Sequence, residues 1–335
     1  MKKMLVILFL SIGVLFPTYA EEIEILPTFQ SKSYVQDRVW AGTFQIVWND
    51  FVNKIIHNPV KFPEGTPESV KELNKQSFNV TQLSKKCYYK YIGKINKNTK
   101  QKISYAIKRK FKETSQILNK VDWTTGKNRY IVYAMLKKDF QFTNPLDKLG
   151  VDIFRDSQAE YFGINANSSE DLNETVEVLF FNDETDFAVK LNTNTGDEVF
   201  LYKTATTKPF NYIYSDMFKK SKLYEGSKTF ENKDEIMIPN LKFIEEKSFD
   251  ELLNKRIKGT NIVIDQAIES IDFNMDNTGV KLVSEAVLTA VTTSLKPEEE
   301  PRIFNFNDTF VLFIKEQAKQ KPYFALRVHN IDKFQ

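Results

Sequence analysis

The chain has 335 residues, 41% of them hydrophobic and 27% charged, which suits a folded globular protein and argues against a disordered one. Lys+Arg at 47 against Asp+Glu at 44 leave a net charge of +3, so nothing electrostatic calls for a nucleic-acid or anionic-membrane partner. A single cysteine excludes an internal disulfide, and with only two histidines it argues against zinc.

Lys2 and Lys3 precede an apolar run from Met4 to Phe16 and then Pro17-Thr18-Tyr19-Ala20, the pattern of a signal peptide cleaved after Ala20. The run is too short to span a bilayer comfortably, so residues 1–20 are expected to be a leader and not an anchor. Roughly 315 residues (335 less 20) then form one domain, residues 21–335, expected to be secreted or periplasmic and monomeric. Abundant Lys, Asn, Ile and Phe with few Gly suit a bacterial source.

Phe44, Val47, Trp48, Phe51 and Ile55 recur at helical spacing, and Thr66-Pro67-Glu68 reads as a second helix start. A longer helix is expected from about Thr99 to Asn119, with Ile103, Ile107, Phe111 and Ile117/Leu118 inward. Its other face carries Lys100, Lys102, Lys108, Arg109, Lys110 and Lys112, read as a solvated face because no aromatic is interleaved to stack on bases. From Arg129 the pattern turns to strands. Tyr130 to Leu136 is a near-continuous apolar run, as in a strand buried on both faces. Val176 to Phe181, Phe187 to Leu191 and Glu198 to Tyr202 form an antiparallel meander with polar turns between them. Pro209 to Lys219 returns to helical spacing. Ile236 to Ile244 reads as one edge or bulged strand broken by Pro239, and Ser248 to Leu253 as a capped helical turn. An alternating strand then ends in the acidic turn Asp276-Asn277-Thr278-Gly279. Two closing strands run from Thr309 to Glu316 and from Pro322 to Val328. Helices first and a mostly antiparallel half after them predict an α+β fold around a single core.

Catalytic signatures are missing. No G-x-S-x-G elbow, P-loop, G-x-G-x-x-G or His/Glu zinc motif occurs. His57 ends an amphipathic helix, where capping or exposure is expected, and His329 follows the last strand and is expected to be exposed. Cys87 lies in Lys85-Lys86-Cys87-Tyr88-Tyr89-Lys90, with no helix start behind it to stabilise a thiolate. The acidic runs sit at turns, where they are solvated, and an oxygen-ligand calcium site at residues 192–197 is generic. No cofactor and no catalytic residue is expected; the reading is that of a non-enzyme.

Several stretches resemble the serpin family. Tyr130 to Phe140, with Phe142, Pro145-Leu146-Asp147 and Phe154, is similar to the serpin central strand, and Ile236 to Phe243 to its apolar-Pro-x-Phe strand. Phe306 to Ile314 resembles the family's signature strand, with Thr309 where Pro is usual. Gly279 falls at the hinge glycine. The resemblance covers residues 129–335. It is weaker before that point, where Asn58 to Gly65 stands in place of the Ser-Pro opening of the second helix.

That resemblance implies a serpin-like fold with an exposed reactive loop over about 279–301, a bait for a serine or cysteine protease. Counting from Gly279 puts the scissile bond near Thr293-Ser294. After the cut, the hinge would insert as an extra strand of a buried sheet and trap the protease. Alternation sets Val280, Leu282, Ser284, Ala286, Leu288 and Ala290 on one face of the hinge, which is compatible with insertion. The bulky residues 280–283 suit an ordinary, permanently paired strand equally well. In that case the chain would be a non-inhibitory extracytoplasmic binding protein.

Overall fold

The computed structural model describes residues 22–125, 129–280 and 301–335. In chain order the elements begin with β1 (Glu24–Ile25), β2 (Arg38–Ala41), α1 (Gly42–Phe51), α2 (Glu68–Asn74), β3 (Tyr88–Lys94), α3 (Thr99–Phe111) and α4 (Ile117–Lys120). Next come β4 (Tyr130–Leu136), β5 (Phe140–Gln141), β6 (Asp147–Phe154), β7 (Ser157–Ile164), β8 (Val176–Asp183), β9 (Asp186–Asn192), β10 (Asp197–Lys203) and α5 (Phe210–Leu223). The chain closes with β11 (Glu235–Pro239), β12 (Leu241–Ser248), β13 (Ile268–Asp276), β14 (Gly279–Val280), β15 (Ile303–Asn305), β16 (Phe310–Glu316) and β17 (Phe324–Val328). The fold is α+β.

A seven-stranded sheet in the order β1-β2-β17-β16-β10-β9-β8 forms the centre. The expected meander is its β8-β9-β10 half, and the expected C-terminal hairpin supplies β16 and β17. Val199, Leu201, Val311, Phe313, Ala325 and Leu326 are wholly buried in it. Helix α5 lays Phe210, Ile213 and Met217 against this sheet, as its spacing predicts, with Tyr214 and Phe313 in edge contact at 5.1 Å. A second sheet runs β15-β11-β7-β6.

Four expectations need correction. The long helix ends at Phe111, where Lys112 takes a left-handed conformation at φ 60°, and α4 is a separate turn. The single strand read from Ile236 to Ile244 is two strands in two sheets. β11 pairs with both β7 and β15, so it is interior, and Pro239 is tolerated as its last residue. The first half is less helical than its pattern suggests, because β3 pairs along its whole length with β4. The core is also not single. A main cluster fills the body, and a satellite of Ile95, Ile103, Ile107, Phe111, Leu118, Ile131 and Tyr133 lies under α3. The lysines and Arg109 on the other side of α3 are mostly exposed, and Tyr105 is exposed among them, against the expectation that no aromatic is interleaved there. Among the described residues, no helix is long and apolar enough to cross a membrane.

Candidate functional site: a slot in a split sheet

β13 begins as the sequence suggests, with alternate residues Ile271, Phe273 and Met275 buried. It turns at Asn277-Thr278, where Thr278 donates through both its N–H and its hydroxyl to Asp276 Oδ1. The chain comes back as β14, antiparallel to β13, and its other edge pairs with β5. Gly279 is needed for this passage. Its φ is +151°, and a Cβ there would lie 2.4 Å from the Phe140 carbonyl oxygen.

β14 is only two residues long. β5 continues the course of β4 through residues 137–139. The pairs β12-β13 and β3-β4 are therefore two halves of one sheet, joined at one end by β14 and parted along the rest. Among the described residues, β4 pairs only with β3, and β13 only with β12 and β14, so their facing edges have no partner there. Between these edges lies a cavity of about 1070 Å³, lined along its length by residues 130–136 and 268–274. β13 and β5 both run antiparallel to β14, so the walls are parallel strands with room between them for an antiparallel one.

The slot has a floor and a cover. Phe44, Trp48 and Phe51 of α1 line the floor. Residues 113–122 line the cover and cross as a strap to the β12-β13 half. Lys120 pairs with Glu246 at 2.8 Å, the Asp122 N–H donates to Gln266 at 2.8 Å, and Arg129 reaches Asp265 at 2.6 Å. Arg129 also holds Asp122 at 2.7 Å. The hydrogen bonds from Thr124 and Arg129 lower the Asp122 carboxyl to about 2.

One charged group is sealed into the floor. Glu269 is 4% exposed. Its Oε1 accepts from the Thr43 hydroxyl at 2.7 Å and from the Phe44 N–H at 3.2 Å, both at the first turn of α1. Its Oε2 is buried without a hydrogen-bond partner among the described residues. Lys247 faces it across the β12-β13 ladder but donates to the Ile25 carbonyl at 2.9 Å. Burial raises the Glu269 carboxyl to about 7, against the partial relief of the Thr43 and Phe44 hydrogen bonds. Sequence reading passed over this residue. The available signal was a Glu standing in the apolar phase of Ile271, Phe273 and Met275.

The expected site residues fare unequally. Gly279, read as a hinge, lies in β14 at the mouth of the slot. Thr293 and Ser294 lie outside the described residues, as do residues 281–300 as a whole and residues 1–20, read above as a leader. His57 caps the end of the first helix in a left-handed conformation at φ 60° and is exposed. His329 is half-buried instead of exposed, because its Nδ1 lies 2.8 Å from the Thr309 hydroxyl and 3.2 Å from Arg155. Burial and then Arg155 lower its pKa. Cys87 is buried, and that burial raises its thiol; no hydrogen bond links it to either histidine among the described residues. Among those residues, too, no group of three or more His, Cys, Asp or Glu could hold a metal.

No protein-family model matches the chain, and no curated protein matches it. Solved structures do. Serpin48, described as a highly specific serpin of the insect Tenebrio molitor, is 12% identical, with 88% of this chain and 92% of that one covered and a TM-score of 0.49. Thyroxine-binding globulin in complex with thyroxine is 11% identical, with 88% and 93% covered and a TM-score of 0.49. Human glycosylated kallistatin is 12% identical, with 86% and 95% covered and a TM-score of 0.45. Each of these solved structures is similar to the chain over most of both lengths.

Proposed function

We propose that the protein is an exported inhibitor of a serine or cysteine protease, with residues 279–301 as its bait. The observation that carries this reading is the slot, a sheet parted between two parallel strands and entered at one end by the chain leading to the bait. Among the described residues both walls present unpaired backbone groups, and an extended segment laid between them would satisfy both. The root of that segment is already in place, because Gly279 and Val280 pair with β13 and with β5 at once.

The register at the mouth, Val280 against Met275 and against Phe140, states how insertion would proceed. Leu282, Ser284, Ala286 and Leu288 would take the inner phase of Val280 and lie over α1. Val283, Glu285 and Val287 would lie under the strap. The scissile bond is proposed at Thr293-Ser294, where an uncharged β-branched residue suits a protease with a small specificity pocket. Once cut, residues 281–293 are free to fill the slot, and the acyl-enzyme goes with them.

Limited proteolysis with a panel of proteases tests this. A single cut near Thr293-Ser294, a rise in melting temperature and a protease adduct stable in SDS are expected. A cut chain with no adduct and an unchanged melting temperature would replace the trap with the binding-protein reading.

A further inference from the structure

We propose that the outward face of α3 is a docking surface for an anionic lipid membrane, held there by charge and released by salt. The net charge of +3 conceals a segregated distribution. Residues 85–112 hold eleven basic residues and no acidic one, which leaves 36 basic against 44 acidic residues in the rest of the chain. The fold gathers these cations around one helix. α3 packs along β3, with the Lys102 ammonium 5.3 Å from the centre of the Tyr91 ring and the Lys110 ammonium 5.8 Å from that of Tyr88. Lys110 also donates to the Lys85 carbonyl at 2.6 Å, so Lys85 and Lys86 join the C-terminal end of the helix.

A helix face that is merely solvated carries both signs. On α2, Lys71 pairs with Glu68 at 3.0 Å and Lys75 with Glu72 at 2.6 Å. On α5, Lys220 lies 3.7 Å from Asp216, one turn before it. α3 is built differently. Its buried stripe is Thr99, Ile103, Ile107 and Phe111, and its opposite side presents Lys102, Lys108, Arg109 and Lys112 around Tyr105. Spacings of three and four residues make these side chains neighbours, so the like charges repel. No acidic residue stands in the first turn, where a carboxylate would favour the helix. Among the described residues, the only one of the eleven cations in an ion pair is Lys90, with Asp50 at 2.8 Å. The repulsion is relieved only by anions outside the chain.

The shape and chemistry of the face select the partner. The outer side of a helix is convex, and from Lys102 to Lys112 it rises about 15 Å. A single nucleic-acid strand is held in a groove with several aromatic faces for its bases, whereas this side offers one exposed ring, Tyr105. Ten of the eleven cations are lysines. These are point charges on flexible stems, which answer to a negative potential and not to the fixed geometry that an arginine fork reads. A bilayer of anionic lipids supplies such a potential over a plane, and each cation near it adds to the attraction. Tyr105 is 69% exposed at the centre, with an apolar ring and a polar hydroxyl, the character of a side chain at headgroup level. No other large hydrophobic side chain of residues 85–112 is exposed, so adsorption proceeds by charge without insertion. None of the outward residues of α3 lines the slot, so the surface stands independently of the proposed inhibition.

Co-sedimentation of the exported chain with lipid vesicles reads this directly. Vesicles of about one-third phosphatidylglycerol in phosphatidylcholine should bind the chain at about 50 mM salt and release it at about 500 mM, where charges are screened within a few Å. Phosphatidylcholine alone should bind none. Joint replacement by Lys102→Gln, Lys108→Gln and Arg109→Gln should weaken binding about a hundred-fold without lowering the melting temperature. Lys32→Gln, Lys208→Gln and Lys258→Gln together remove the same charge from exposed positions elsewhere and should leave binding within about two-fold of wild type. Equal losses in the two triple variants would mean that net charge and not α3 governs adsorption, and would overturn the proposal. So would equal binding to neutral and anionic vesicles, or none to anionic vesicles at low salt. A chain that ignores the vesicles but binds a single-stranded oligonucleotide through the same three cations would give the face to nucleic acid and overturn the lipid assignment.

Discussion

Lys138 leaves β4 and plunges into the body of the protein, where its ammonium joins two strands of the central sheet. It donates to Asp197 on β10 at 2.7 Å and to Glu316 on β16 at 2.6 Å, and all three side chains are at most 10% exposed. The buried Tyr323 hydroxyl donates to the same Asp197 oxygen at 3.1 Å, and Ser84 donates to Glu316 through its hydroxyl at 2.6 Å. Burial alone would raise the Glu316 carboxyl, yet the hydrogen bonds from Lys138 and Ser84 hold it below its ordinary value. Removing one partner from such a set leaves charges buried without compensation. Lys138→Met is therefore expected to cost about 3–5 kcal/mol in urea unfolding at neutral pH. The pH dependence has a definite sign. A depressed carboxyl contributes stability that is present above its unfolded value and lost as pH falls through the folded one. Glu316 thus stabilises the native chain above about 4.5 and loses that contribution in stronger acid. The cost of Lys138→Met should therefore be largest near neutral pH and shrink as the pH falls below about 4.5.

Among the elements, the strap over the slot is held by two kinds of contact, and they differ in strength. Its apolar residues enter the satellite core: Leu118 is buried there, and Ile117, Val121 and Trp123 pack against it. The Trp123 indole also donates to the Leu118 carbonyl at 2.9 Å. The ion pairs of Arg129 lie outside this core, with Asp122 and Asp265 more than half exposed. Exposed pairs of this kind contribute less than about 1 kcal/mol each. Arg129→Ala should leave urea stability within about 1 kcal/mol of wild type, whereas Leu118→Ala should cost about 2–5 kcal/mol. A large loss in Arg129→Ala would mean that the salt links, not the packing, hold the strap down. What could be read in the sequence follows the same division between local and distant causes. The meander, α5, the turn at Asn277-Thr278 and the β16-β17 hairpin are set by near neighbours, and they stand where their periodicity put them. The run Tyr130 to Leu136 was expected to be buried on both faces, but only Ile131 and Tyr133 are buried. Alternation reports which way side chains point; it carries no information on which edge of a strand is paired. The open edges of β4 and β13 were invisible for that reason, and the slot with them. The break at Phe111 had a local cause that was overlooked, since residues 112–116 hold no apolar side chain to continue the inward stripe.

Seen as a whole molecule, the fold places a complete sheet beside an incomplete one. In the central sheet β10 pairs on both edges, with β9 and with β16, and its core residues Val199 and Leu201 are wholly buried. In the split sheet, the outward N–H and C=O groups of β4 and β13 face a cavity, with no partner strand among the described residues. Backbone groups left so are hydrated in the open slot and gain partners only when a strand arrives. Stability is consequently uneven, with the slot walls at the low end and the central sheet at the high end. Hydrogen exchange followed by mass spectrometry reads this directly. In the intact chain, the amides of β4 that point away from β3, and those of β13 that point away from β12, should exchange far faster than those of β10 and β16. Cleavage at the proposed bond should slow the first set by several orders of magnitude, because each amide then sits inside a ladder. The second set should hardly change. If β4 and β13 were already protected in the intact chain, the slot would be filled before any cut. The segment after Val280 would then be the permanently paired strand that its bulky residues also suit.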